Sequence, residues 1–314
     1  MLAPIQMYPA YRYGEQTPWG GDGLKSFFGK DIPDTRTGEA LEISAIPNLE
    51  SKNEKGETLS FLIEKYGEDL LGKHVNTPFP LLLKLLCAKE PLSVQVHPDD
   101  TYAKQHENKL GKTEAWVILN AEEDAFILYG LKPEVTKSML ESALYSGEDI
   151  EGMIARVSAK AGQVFYMPAG MVHAIGSGII LYEIQQSSDV TYRLWDYNRK
   201  NAENKTRELH IKQSLDVIDF SLTQHVTQMP TILDDTCNTL LAVDNFTLQA
   251  FCVKNSVNII KPNDTFAFLT ALNPLCLQWE NETLELKSGQ SVFLPANGFA
   301  LTLKGEGQAL LSYC

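Results

Sequence analysis

The chain has 314 residues, 44% of them hydrophobic and 21% charged, enough for two globular cores, and no apolar run approaches the roughly 18 residues of a membrane span. A formal net charge of -13 argues against nucleic acid and anionic membrane as partners, since both are held by excess Lys and Arg, and an anionic ligand would need a local basic cluster. Five cysteines without a CxxC pair, and a start (MLAPIQMYPAYRYG) with no basic stretch leading into an apolar one, predict reduced thiols, mostly in the core, in a cytoplasmic protein.

In chain order, Leu62, Tyr66 and Leu70 recur at helical spacing and predict a first helix. LSVQVH (92–97) alternates Leu92, Val94 and Val96 with Ser93, Gln95 and His97. AWVIL (115–119) and AFILY (125–129) are β-branched or aromatic, so all three segments predict strands. After Pro133 and Glu134, a favourable first turn, Val135, Met139, Leu140, Ala143 and Leu144 share one face of a second helix. IILYEI (179–184) and TYRLW (191–195) predict further strands, and Ile211, Leu215 and Ile218 a third helix. Two segments, AGQVFYMPAGMVHAI (161–175) and SGQSVFLPANGFALT (288–302), align without gaps, placing Gly162 on Gly289, Gln163 on Gln290, Pro168 on Pro295 and Ala169 on Ala296. Each reads as a Gly turn, a strand, a Pro-bearing bend and another strand. The expectation is a mainly-β protein of two related barrels: residues 1–230 with helical insertions, and a smaller unit over 235–314.

Side chains two apart on a strand share a face, so Gln95 and His97 project together while Val94 and Val96 point the other way. Gly162, Pro168, Gly170 and His173 have the spacing of the second cupin motif. Gln95, His97 and Glu114 fit the first, with Gln95 in place of its usual first histidine. The barrels are therefore expected to be cupin, jelly-roll-like ones. Gln95, His97, Glu114 and His173 make a mixed nitrogen and oxygen ligand set acceptable to zinc, iron or manganese. The offset that maps Pro168 to Pro295 maps His173 to Ala300, so one metal per chain is expected, in the first unit only. His74, His106, His210 and His225 have no such context and read as surface or helix residues.

The words around those ligands resemble type I mannose-6-phosphate isomerases of the short bacterial branch: PWGG (18–21), FPLLLKLL (79–86), PLSVQVHPDD (91–100), GKTEAWVIL (111–119), PAGMVHAIG (168–176) and QQSSDVTYRLWDYNR (185–199). Leu41 and Ile46 depart from the family pattern. The resemblance implies that the metal is zinc and that the chain interconverts mannose 6-phosphate and fructose 6-phosphate through an enediol. It implies that Arg193, in TYRLWDYNR, stabilises charge and orients substrate. Lys112, two residues before Glu114, reads as the proton-transfer base, with a water on the zinc as its rival. Lys84, Ser93 and Arg199 read as the phosphate site. Other readings of the same motifs are an iron cupin oxygenase and a non-catalytic sugar-binding cupin. A nucleotide-sugar activity finds no Gly-rich phosphate loop. The oligomeric state is left open, a homo-oligomer included.

Overall fold

The computed structural model describes residues 1–314, and the β-branched and aromatic runs of the sequence become four antiparallel sheets arranged as two pairs. The first pair has a seven-stranded sheet, in the order Val226–Gln228, Gln163–Met167, Glu114–Ala121, Ile179–Gln186, Leu81–Ala88, Thr37–Ile43 and Ala10–Tyr13. It faces a five-stranded sheet, in the order Tyr192–Trp195, Val94–Val96, His173–Ile175, Phe126–Leu131 and Ile154–Ser158. Leu86, Trp116 and Leu181 of one sheet meet Ile127, Tyr129 and Ile175 of the other in a single core. The second pair, a six-stranded and a four-stranded sheet, closes on Phe251, Leu269, Val292, Leu277 and Leu303. Two stacked antiparallel sandwiches with helices laid on them are the double cupin architecture expected from the sequence.

LLLKLLCA (81–88) is nearly continuous in hydrophobicity because both faces of this strand are covered. Leu82 and Leu86 turn to the interior of the first unit, while Leu81, Leu83 and Leu85 join a core shared with the second unit. That shared core adds Leu248, Phe268, Phe293 and Leu310. Phe266 stacks between Phe79 and Phe293, with ring centroids 5.3 and 5.2 Å away. Tyr182 Oη and Ser312 Oγ, 2.7 Å apart, form a buried hydrogen bond across the same junction. The N-terminal strand Ile5–Met7 pairs with Ser291–Leu294, so the first residues of the chain complete the C-terminal sheet instead of the expected first unit.

The repeat survives as geometry. Gly162 and Gly289 take φ of +85° and +75°, a region open to glycine. In both turns the following glutamine caps the backbone: Gln163 Oε1 accepts from Lys160 N–H at 2.7 Å and Gln290 Oε1 from Lys287 N–H at 2.8 Å.

The helices cover the outside. Lys137–Ser146 buries Leu140, Ala143 and Leu144, but Met139, expected on that face, is 46% exposed. Thr136 is the N-cap, its hydroxyl accepting from Met139 N–H, so the helix starts beyond Pro133 and Glu134. The first helix is two pieces, Leu59–Tyr66 and Glu68–Leu71, broken at Gly67, where φ is +47°. Ile211–Val217 buries Leu215 against the edge of the five-stranded sheet. All five cysteines are free, but only Cys87 and Cys252 are in the core, fewer than expected. No helix is long and apolar enough to cross a membrane.

Candidate active site

The inward rows of the first two sheets carry polar side chains at one end of the sandwich. On the seven-stranded sheet Glu183 lies directly opposite Lys84 on one side and Trp116 on the other, and Gln185 opposite Glu114. On the facing sheet Gln95 lies opposite both His173 and Arg193. Val94 and Val96 turn outward into the core beneath the helices, which leaves the alternate positions, Gln95 and then His97, facing in.

Glu114 sits between two imidazoles. Its Oε1 is 3.2 Å from His173 Nε2 and 3.7 Å from His97 Nε2, and no side chain of the three exceeds 2% exposure. One ligand atom from each lies within 4.8 Å of the others, and no second cluster of this kind occurs in the chain. His97 Nδ1 donates to the Val190 carbonyl and His173 Nδ1 to the Met171 carbonyl, both at 2.9 Å. A carbonyl can only accept, so Nδ1 carries the proton and the Nε2 lone pairs converge on Glu114, the outer-shell arrangement typical of metal-ligating histidines. Glu114 Oε1 and His173 Nε2 are buried with no hydrogen-bond partner, which ordinarily costs about 1–3 kcal/mol per group. A divalent cation would satisfy them together, and two imidazoles, a carboxylate and the amide oxygen of Gln95 suit zinc.

Electrostatics keeps these groups in ligand form. Burial and the Lys112 ammonium push the His97 imidazole down to about 3. Burial alone would raise Glu114, but the Lys112 ammonium outweighs it and holds the carboxylate well below the usual range. Lys112 Nζ lies 2.9 Å from His97 Nε2 and 2.9 Å from Glu114 Oε2.

A cavity of about 280 Å³ opens beside this cluster, with Gln95 and Lys112 in its wall. Its lining includes five cations (Arg12, Lys84, Lys112, Arg193, Arg207) against three carboxylates (Glu39, Glu183, Asp189), a local positive excess in a chain of charge -13. Lys84 is shared between Glu39 at 3.5 Å and Glu183 at 3.2 Å, and Arg12 pairs with Glu39 at 3.2 Å. The two carboxylates diverge. Burial would raise Glu39, but Lys84 and Arg12 lower it; for Glu183, burial and the nearby Glu114 prevail over Lys84 and raise it.

Arg193 and Ser93, expected at the site, both line the cavity, and Arg193 Nε donates to Ser93 Oγ at 3.3 Å. Arg193 Nη1 donates to the Glu208 carbonyl at 2.9 Å, and no carboxylate pairs with it. Arg199, expected beside the phosphate, is not in the cavity wall: its guanidinium is taken by Asp196 (3.1 Å from Nε) and the Pro91 carbonyl (2.6 Å from Nη1). Arg207, also held by Asp196 at 2.7 Å, lines the cavity instead.

Sequence reasoning passed over Glu39, Glu183, Arg12, Asp189 and Arg207. A signal existed for the first two: Glu183 in IILYEI and Glu39 in TGEALEI are charges within apolar strands, and the two-residue period that singled out Gln95 applies to them equally. Asp189 and Arg207 lie on irregular segments with no period to read.

The model of the phosphomannose isomerase type I catalytic domain matches residues 10–141, and that of the mannose-6-phosphate isomerase cupin domain matches residues 236–314. Mannose-6-phosphate isomerase ManA of Bacillus subtilis is 39% identical over 318 residues, 99% of this chain and 98% of the relative. A Streptococcus mutans mannose-6-phosphate isomerase is 45% identical over 213 residues, 67% of this chain and 66% of the relative. The crystal structure of the Bacillus subtilis mannose 6-phosphate isomerase superposes with a TM-score of 0.87 at 31% identity, covering all of both chains. The two domain models fall in the order of the two sheet pairs, and a relative aligns from end to end, so this chain belongs to the type I phosphomannose isomerase family.

Proposed function

We propose that this chain is a zinc-dependent isomerase that interconverts mannose 6-phosphate and fructose 6-phosphate through an enediol. The observation that carries the proposal is the buried His97–Glu114–His173 cluster, with Gln95, opening beside a cavity where Arg193 is a cation without a carboxylate partner. Family membership points to the same activity.

Moving the carbonyl between C1 and C2 requires a proton to leave one carbon and return to its neighbour while charge gathers on the oxygens. Gln95, His97, Glu114 and His173 would hold zinc, which supplies Lewis-acid stabilisation of that oxygen charge. Lys112, which lines the cavity 2.9 Å from Glu114 Oε2, would carry the proton at Nζ. Arg193 stays protonated and stabilises the oxyanion. Lys84 is neutralised by Glu39 and Glu183, so the phosphate is better assigned to Ser93 and Arg207 at the Arg193 end of the cavity. Ala300, at the repeat position of His173, is exposed, and the C-terminal unit is proposed to act as a metal-free support.

The experiment offers mannose 6-phosphate to purified protein and measures fructose 6-phosphate before and after chelation and after zinc is restored. Turnover that disappears and returns with zinc supports the proposal. Full turnover without metal, or turnover restored by iron alone, rejects the zinc reading.

A further inference from the structure

The strand Tyr192–Trp195 is the edge of the five-stranded sheet, so one side of its backbone has no strand to pair with. At Arg193 a single residue takes that role. Arg193 N–H donates to His210 Nδ1 at 3.2 Å, and His210 N–H donates to the Arg193 carbonyl at 2.8 Å. The same segment brings the Glu208 carbonyl to Arg193 Nη1 at 2.9 Å, while Ser93 Oγ accepts from Nε on the other side. His210 is itself anchored. It precedes the helix Ile211–Val217, whose Leu215 shares a core with Tyr192 and Leu194, and its carbonyl accepts from Ser214 N–H.

Nδ1 can accept from a backbone N–H only while it is unprotonated. The groups around the ring favour that form: burial and the Arg193 charge lower the imidazole, against the opposing carboxylates Glu208 and Glu107. The uncharged neighbour is Tyr192, 6.1 Å away between ring centroids. His210, first read as a surface or helix residue, thus ties the backbone of an active-site arginine to the segment that grips its guanidinium.

We infer that His210 is the positioning residue of Arg193, pinning its backbone through Nδ1 and N–H so that the 208–210 segment holds the guanidinium aimed into the cavity. This inference rests on the isomerase reading and on the role proposed there for Arg193.

The test uses the full-length, zinc-loaded enzyme and reads kcat and KM for mannose 6-phosphate, zinc stoichiometry and melting temperature. His210→Ala should lower kcat by about 10²-fold, the loss expected when a catalytic group is displaced by about 1 Å, with KM within about threefold and zinc unchanged. His210→Asn places an amide oxygen near the Nδ1 position and should recover most of the loss. In an Arg193→Ala background His210→Ala should have little further effect, because both changes remove one function. Should His210→Ala fail to fold, His210→Phe, which keeps a ring without the acceptor, replaces it. A kcat within about twofold of wild type in the Ala or Phe variant overturns the inference, as does a loss that multiplies with that of Arg193→Ala. Full turnover in Arg193→Ala itself would instead overturn the reading beneath it, and the two failures are read from different variants.

Discussion

The guanidinium of Arg193 reaches the cavity with Ser93 and the Glu208 carbonyl as partners and no carboxylate beside it, so its charge is available to an oxygen that becomes negative during reaction. Arg193→Ala should therefore lower kcat by about 10²–10³-fold with a much smaller change in KM. Zinc content, measured on the same preparation, should stay the same because a guanidinium is not a ligand. Arg193→Lys should recover only part of the rate, since a point charge does not reproduce the planar fork. Asp196 plays a different part, holding Arg199 and Arg207. Burial would raise its carboxyl, but the two guanidinia lower it below the ordinary 3.8. Its contribution to stability is therefore complete above about pH 5 and is lost as pH falls through the ordinary value toward the lowered one. Asp196→Asn should destabilise the protein by about 2–3 kcal/mol at neutral pH. The gap between wild type and variant in urea midpoint should narrow from about pH 6 to about pH 3.

At the scale of elements, the helix Lys137–Ser146 shows how docking decides between neighbouring faces. Met139 and Ala143 are four apart, and so are Leu140 and Leu144, so both stripes satisfy the helical period. Only contact with the five-stranded sheet turns Leu140 and Leu144 inward and leaves Met139 out. Leu140→Ala should cost about 2–5 kcal/mol in chemical denaturation, whereas Met139→Ala should stay within about 0.5 kcal/mol. The repeat was legible because its turn is local. Gly162 and Gly289 each sit at positive φ, and a Cβ at Gly289 would come 2.6 Å from the Phe28 ring. The break at Gly67 was not read from the Leu62, Tyr66, Leu70 pattern, because hydrophobic spacing continues through it while the backbone does not.

For the whole molecule, the two sandwiches share one core and exchange a strand at the N-terminus. Unfolding either would expose Phe268, Phe293, Leu83 and Leu85 to water. Calorimetry should show a single transition, with van't Hoff and calorimetric enthalpies in agreement. Two separated transitions would mean that the shared core does not couple the units. The candidate metal ligands lie in only one of them. His173 is buried in a cluster of three donors, whereas Ala300 is exposed at the matching repeat position. Elemental analysis should find about one zinc per chain, and His173→Ala should abolish binding.

The mainly-β class, the duplicated unit and the convergence of His97, Glu114 and His173 were readable from the sequence because each depends on short-range regularity. A two-residue strand period, a glycine turn and a motif of fixed spacing place side chains with little help from the rest of the chain. How the charges around the cavity pair was not readable. Arg12 meets Glu39 across 27 positions, Lys84 meets Glu39 across 45, and His210 meets Arg193 across 17. Arg199 and Arg207 compete for one Asp196, and which of them faces the cavity is set by the path of an irregular segment. Charge pairing is a function of distance and burial, and for residues so far apart in the chain only the folded sheets decide both.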